Sequence, residues 1–152
     1  MRRERGRGWG YSVAVPRDGQ YIIDLCDRVL GRTALREHRF DFLRGDPGGW
    51  CRRGVGLPVD AFYEDLRLVV EYCERQHTEA AAFFDRRMTV SGVGRGEQRR
   101  RYDQRRREVL PLHGIRLVEL HVGEFDHGRS KRLRRGAGDE GVVRARLAEW
   151  VG

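Results

Sequence analysis

The sequence is poor in lysine, cysteine and long apolar runs, and each shortage excludes something. No stretch approaches the roughly 18 to 20 consecutive apolar residues that cross a bilayer. The opening MRRERGRGWG also lacks the apolar core of a secretion signal, so the chain reads as soluble and cytoplasmic, with no membrane partner. The three cysteines, Cys26, Cys51 and Cys73, are odd in number and lie 25 and 22 positions apart, which fits neither a disulfide framework nor zinc-finger spacing. They read as reduced thiols. Of the 31 basic residues only Lys131 is lysine. Arginine offers a planar fork suited to phosphate oxygens, but a base-composition bias of the genome gives the same preference, and both readings stand.

What remains is enough for one domain. The chain has 152 residues, 39% of them hydrophobic and 36% charged, with net charge +8. About 60 apolar residues suffice for a core, which argues against full disorder, while a mean hydropathy of -0.71 leaves much of the rest for solvent or contact surface.

Residues 1–17 hold four arginines in the first nine positions and read as a basic arm. From Tyr21 to Leu30 apolar residues recur at three and four, predicting a helix over 19–30 with Asp18 as N-cap and Gly31 as stop. LREHRFDFL (35–43) has strand character and is followed by a loop, GDPGGWCRRGVG. LPVDAFY (57–63) and RLVVEYC (67–73) form a hairpin, and 74–96 is a long irregular connection. A second helix is predicted over 97–110, with Tyr102, Arg106, Val109, Leu110 and His113 on one face and Pro111 as its end or kink. A strand follows at 115–122, then a basic flexible linker over 123–139 and an amphipathic helix over 140–152. The order is αβββαβ with an extra C-terminal helix. It predicts an α/β fold without repeats.

A four-residue turn, Glu64 to Arg67, sets the hairpin register: Tyr63 faces Leu68, Ala61 faces Val70 and Asp60 faces Glu71. One face then carries Leu57, Val59, Ala61, Tyr63, Leu68, Val70 and Tyr72. The other carries Asp60, Glu71 and Cys73 beside Phe62 and Val69. Opposed carboxylates about 4.5 to 5.5 Å apart at Cβ repel unless something neutralises them. A proton, an arginine or a divalent cation would serve. Magnesium, which takes one or two protein carboxylates and fills its shell with water and phosphate, makes the pair a candidate phosphodiester site.

The run LPVDAFYEDLRLVVEYCERQH, followed by YDQRRREVLPLHGIRLVEL, resembles the PD-(D/E)XK nuclease superfamily, in its very-short-patch-repair-like small endonuclease branch. The matching positions are Asp60, Glu71, Cys73, Gln76 and His77, then Asp103, Arg106, Leu110 and Gly114. The resemblance implies a restriction-endonuclease-like core over residues 18–122, a mixed four-stranded sheet flanked by helices. It also implies that Asp60 and Glu71 hold Mg2+, with Mn2+ as a substitute, and that His77 acts as acid, base or phosphate ligand, while Cys73, Gln76 and Asp103 support them. The expected activity is metal-dependent hydrolysis of DNA, double- or single-stranded. Where the superfamily carries lysine this chain has Cys73, so the alternative is a nucleic-acid-binding module of the same fold that does not cut.

Arg106 can pair with Asp103 three residues earlier, with a site carboxylate, or with substrate phosphate. Residues 95–107 hold seven arginines against Glu97 and Asp103, and Arg129 to Arg135 add a second basic run. Arg75, Arg99, Arg105 and Arg106 are the candidate phosphate contacts. Trp50 and Tyr63 either stack on bases or pack inside the domain. The last helix places Val142, Val143, Leu147, Trp150 and Val151 on one face, for its own domain or for a homodimer.

Overall fold

The computed structural model describes residues 17–74 and 89–152. Helix α1 (Asp18–Leu30) buries Ile22, Ile23, Leu25, Cys26, Val29 and Leu30, the stripe that the three-and-four spacing predicts. It closes at Gly31, whose φ of 64° lies in the left-handed region where glycine carries no side-chain penalty. Its start differs from expectation. Arg17 holds the cap position, its N–H donating to Gln20 Oε1 at 3.0 Å, and Asp18 lies inside the first turn.

Strands β1 (Leu35–Arg44), β2 (Gly56–Tyr63), β3 (Leu68–Cys73) and β4 (Arg116–His121) form one sheet in that order. The first two pairings are antiparallel and β3–β4 is parallel, so the molecule is α/β with a mixed four-stranded sheet. The β2–β3 register is the expected one: Ala61↔Val70, Phe62↔Val69, Tyr63↔Leu68. It follows from the turn, where Leu66 and Arg67 donate to the carbonyls of Tyr63 and Glu64 and Arg67 takes φ 50°.

Helix α2 (Arg95–Leu112) connects β3 to β4 after the intervening segment and covers one face of the sheet. It is longer than 97–110 and accommodates Pro111 in its last turn before Gly114, at φ 69°, turns the chain into β4. Only Leu110 of α2 is fully buried. Tyr102 and Val109 pack partly beside it, and His113 stacks on Phe42 with ring centroids 3.6 Å apart.

The opposite face carries α1 and helix α3 (Asp139–Arg146), followed by a 3-10 turn at Ala148–Trp150. Here Ala61, Tyr63, Leu68, Val70, Tyr72, Val118 and Leu120 meet the α1 stripe, Val143 and Leu147. Val142, Trp150 and Val151 pack against the same cluster, so the apolar face of the last helix is used within its own chain. Leu57 and Val59 correct the expected face: they belong to the α2-side cluster with Leu43, Phe62, Val69, Leu110 and Ile115. The β2–β3 ladder stops at Ala61↔Val70, leaving the first half of β2 to run along β1 alone, where the register shifts between Arg39 and Arg44.

The expected flexible linker is also corrected. Its middle folds back on itself through a His127↔Leu133 bridge and is fastened to α1. Leu133 N–H donates to Asp18 Oδ2 at 3.0 Å, Arg135 donates to Asp18 Oδ1 at 3.1 Å, and the Leu133 side chain is buried in the core. Asp18 is thus a clamp for a segment 115 residues away in sequence, not a helix cap. Residues 45–56, expected as an irregular loop, form a hairpin connection closed by a Gly48↔Cys51 bridge.

Candidate functional site

Because the ladder ends at Ala61↔Val70, the next residues in register, Asp60 and Glu71, stand where the two strands part. Asp60 Oδ2 accepts the Tyr72 backbone N–H at 2.8 Å, which fixes one carboxylate at the opening. Parallel pairing of β3 with β4 sets Glu119 beside Glu71 and His121 beside Cys73. On this face α2 lays Asp103 and Arg106 over the strands. Together Asp60, Glu71, Cys73, Asp103, Arg106 and Glu119 line a cleft of about 320 Å³, with Arg99 at its wall.

Arg106 is the hub of the cleft. Its guanidinium donates to Asp103 Oδ1 at 3.1 Å and to the Pro58 carbonyl at 3.0 Å, tying α2 to β2. Its Nε lies 3.6 Å from Glu71 Oε1, close enough for charge attraction and too far for a hydrogen bond. Both atoms are buried and neither has a hydrogen-bond partner. Burial, then the neighbouring Asp60 charge, pushes the Glu71 carboxyl up from 4.5 to about 9, against the opposing pull of Arg106. Glu71 therefore holds a proton at neutral pH when only these side chains surround it.

The half-buried Cys73 thiol is pushed up to about 12 by burial and by the nearby Glu119 and Glu71 charges, so it is neutral. Glu119 is gripped by Arg107, whose Nε reaches both carboxylate oxygens at 3.0 and 3.1 Å. That grip in turn raises the Arg107 pKa.

The donor set suits a hard cation in one respect. Two carboxylates converge, one of them with a buried oxygen that no hydrogen bond satisfies, and a cation would take the place of the proton there. Among the described residues no group of three or more His, Cys, Asp or Glu side chains is arranged as a metal-ligand cluster. Glu119, another carboxylate of the cleft, is already paired with Arg107. A cation would rest on Asp60 and Glu71 and complete its shell with water or substrate oxygens, as magnesium does.

Of the residues singled out from the sequence, Asp60, Glu71, Cys73, Arg99, Asp103 and Arg106 share the cleft. Arg105 does not: it donates to the Arg44 carbonyl at 2.9 Å and to Asp46 Oδ1 at 2.6 Å, and so braces the β1–β2 connection. Arg75, Gln76 and His77 lie outside the described residues. Tyr63 is a core residue whose hydroxyl donates to Asp27 at 2.7 Å, whereas Trp50 is 89% exposed. Glu119 and Arg107 were not anticipated. The alternation in IRLVELHV assigns Glu119 to one strand face, but only the adjacency of β3 and β4 brings it to Glu71.

Acidic neighbours temper the basic surface. Arg100 and Arg101 pair with Glu97, Arg134 with Asp126, and Arg135 with Asp18. Arg129 and Arg132 are exposed. Compared with known proteins, the chain matches no family model, no curated protein and no solved structure.

Proposed function

We propose that the protein is a metal-dependent endonuclease of restriction-endonuclease-like fold that hydrolyses DNA phosphodiester bonds. The observation that carries this reading is the meeting of Asp60 and Glu71 where β2 and β3 part, with the Glu71 oxygen buried and unpartnered. The αβββαβ element order and the Asp103–Arg106 pair against the same cleft support it.

In this reading Asp60 and Glu71 hold Mg2+ or Mn2+, which when bound polarises a phosphate and makes its water more acidic. Glu71 gives up its proton as the cation arrives. Arg106 keeps the emptied carboxylate aimed into the cleft and holds α2 at a fixed distance from it. Arg99, at the wall, faces an incoming phosphate backbone, and His77 is the candidate proton carrier that the resemblance assigns.

Cys73 favours a second reading. A neutral thiol offers no positive charge to a developing phosphorane, so the same cleft also suits a nucleic-acid-binding module that does not cut. Plasmid and single-stranded DNA incubated with Mg2+, Mn2+ or EDTA separate the two. Cleavage that requires metal and is abolished in Asp60→Ala and Glu71→Ala supports the nuclease. Salt-sensitive binding without cleavage supports the module, and absence of such binding rejects both.

A further inference from the structure

We propose that the β1–β2 connection is a finger that stacks Trp50 on an unpaired nucleobase, with Arg52 and Arg53 on the adjoining phosphates. The proposal deepens the nucleic-acid reading above and rests on it. At the tip Gly48 and Cys51 exchange backbone hydrogen bonds of 3.1 and 2.9 Å, which makes Gly49 and Trp50 the two turn residues, with Gly49 at φ 50°. Trp50 is 89% exposed there, so the turn presents an indole ring to solvent.

The base of the finger is fixed. Asp46 is held by Arg105 at 2.6 Å, and its N–H donates to the Tyr102 hydroxyl at 2.9 Å. Gly54, at φ 74°, crosses Gly45 so closely that a Cβ would lie 1.9 Å from the Gly45 carbonyl oxygen. With the base fixed, less backbone freedom is lost when the ring stacks.

Charge and position select the occupant. Arg52 and Arg53 are exposed, and neither forms an ion pair or side-chain hydrogen bond among the described residues, unlike the paired arginines of α2. One exposed indole followed two and three residues on by available guanidiniums matches a single base and its phosphates. A stable protein partner would need about 800 Å² from this side, far more than one ring supplies. From the finger's exit at Gly56, β2 reaches Asp60 in four residues, about 13 Å of strand. The base of the finger and the carboxylate cleft are thus joined by one strand, β2.

The test is fluorescence-anisotropy binding, in EDTA, of a labelled oligothymidine of about 20 nucleotides and of the same strand with abasic sites. Trp50→Ala is expected to weaken oligothymidine binding by about 5- to 100-fold, and Trp50→Phe to retain most of it. On the abasic strand wild type and Trp50→Ala should coincide, because there is no base to lose. Replacing Arg52 and Arg53 by alanine together should lower the salt slope by about 1.4. Trp50→Ala within about twofold of wild type on oligothymidine, or an equal loss on both strands, overturns the finger. Unchanged Trp50→Ala binding beside Glu71-dependent cleavage overturns the finger alone. Trp50-dependent binding without cleavage upholds the finger and overturns the nuclease. A protein that binds neither strand overturns both.

Discussion

Replacing Glu71 by glutamine keeps the shape of the protonated side chain and removes its ability to ionise. In the unfolded wild type this carboxyl releases its proton near 4.5, whereas in the folded cleft it keeps it up to about 9. Between those values the native state binds the extra proton, so stability is full below 4.5 and declines as pH rises toward 9. Each pH unit in that window costs about 1.4 kcal/mol, and the stretch from 4.5 to pH 7 therefore costs at most about 3 kcal/mol. Glu71→Gln should match wild type near pH 4.5 and exceed it by up to about 3 kcal/mol at pH 7, or about 6 to 12 °C in melting temperature for a domain of this size. Urea unfolding followed by circular dichroism across this range reads the difference. Added Mg2+ should narrow it at neutral pH, since a cation stabilises only the ionised wild-type carboxylate. Parallel pH profiles for the two proteins would refute the assignment of a buried, proton-holding Glu71.

Two further predictions concern the same cleft. Arg106→Ala removes the partner of Asp103 and of the Pro58 carbonyl, and should cost about 2 to 4 kcal/mol in urea unfolding. In a Glu71→Gln background the cost at pH 7 should be about the same, because Glu71 is already neutral there, and a clearly smaller cost would show that Glu71 is ionised. Cys73→Lys places an ammonium beside Glu71 and Glu119; if the protein is a nuclease, it should raise metal-dependent plasmid cleavage by about tenfold or more over wild type.

The parts of the fold legible in the sequence are those that local spacing fixes. The α1 stripe follows from apolar residues three and four apart, and the β2–β3 register from a four-residue turn between two alternating runs. That register is what brings Asp60 and Glu71 together. Long-range partners were not legible. Residues 123–139 read as a linker because glycine and arginine dominate them, and nothing local reveals that Asp18 fastens them. Leu57 and Val59 alternate correctly with Ala61, but the departure of β2 from β3 carries them to the other side of the sheet. Arg105 and Arg106 are neighbours in an arginine run and do different work. The helical period turns Arg106 inward, and only the folded β1–β2 connection shows what Arg105 braces. Glu119 needed the strand order, which alternation within one strand does not contain.

The clamp between Asp18 and the segment around Leu133, with the Tyr21 hydroxyl on Asp139 at 2.7 Å, has a consequence for biosynthesis. The apolar stripe of α1 is made more than 100 residues before Leu133, Val143 and Leu147, which cover part of it. At about 5 to 20 residues per second, that surface waits several seconds for its cover. Until residues 133–147 are made, the nascent chain carries a greasy stripe open to neighbouring chains and chaperones, and this side of the domain cannot close.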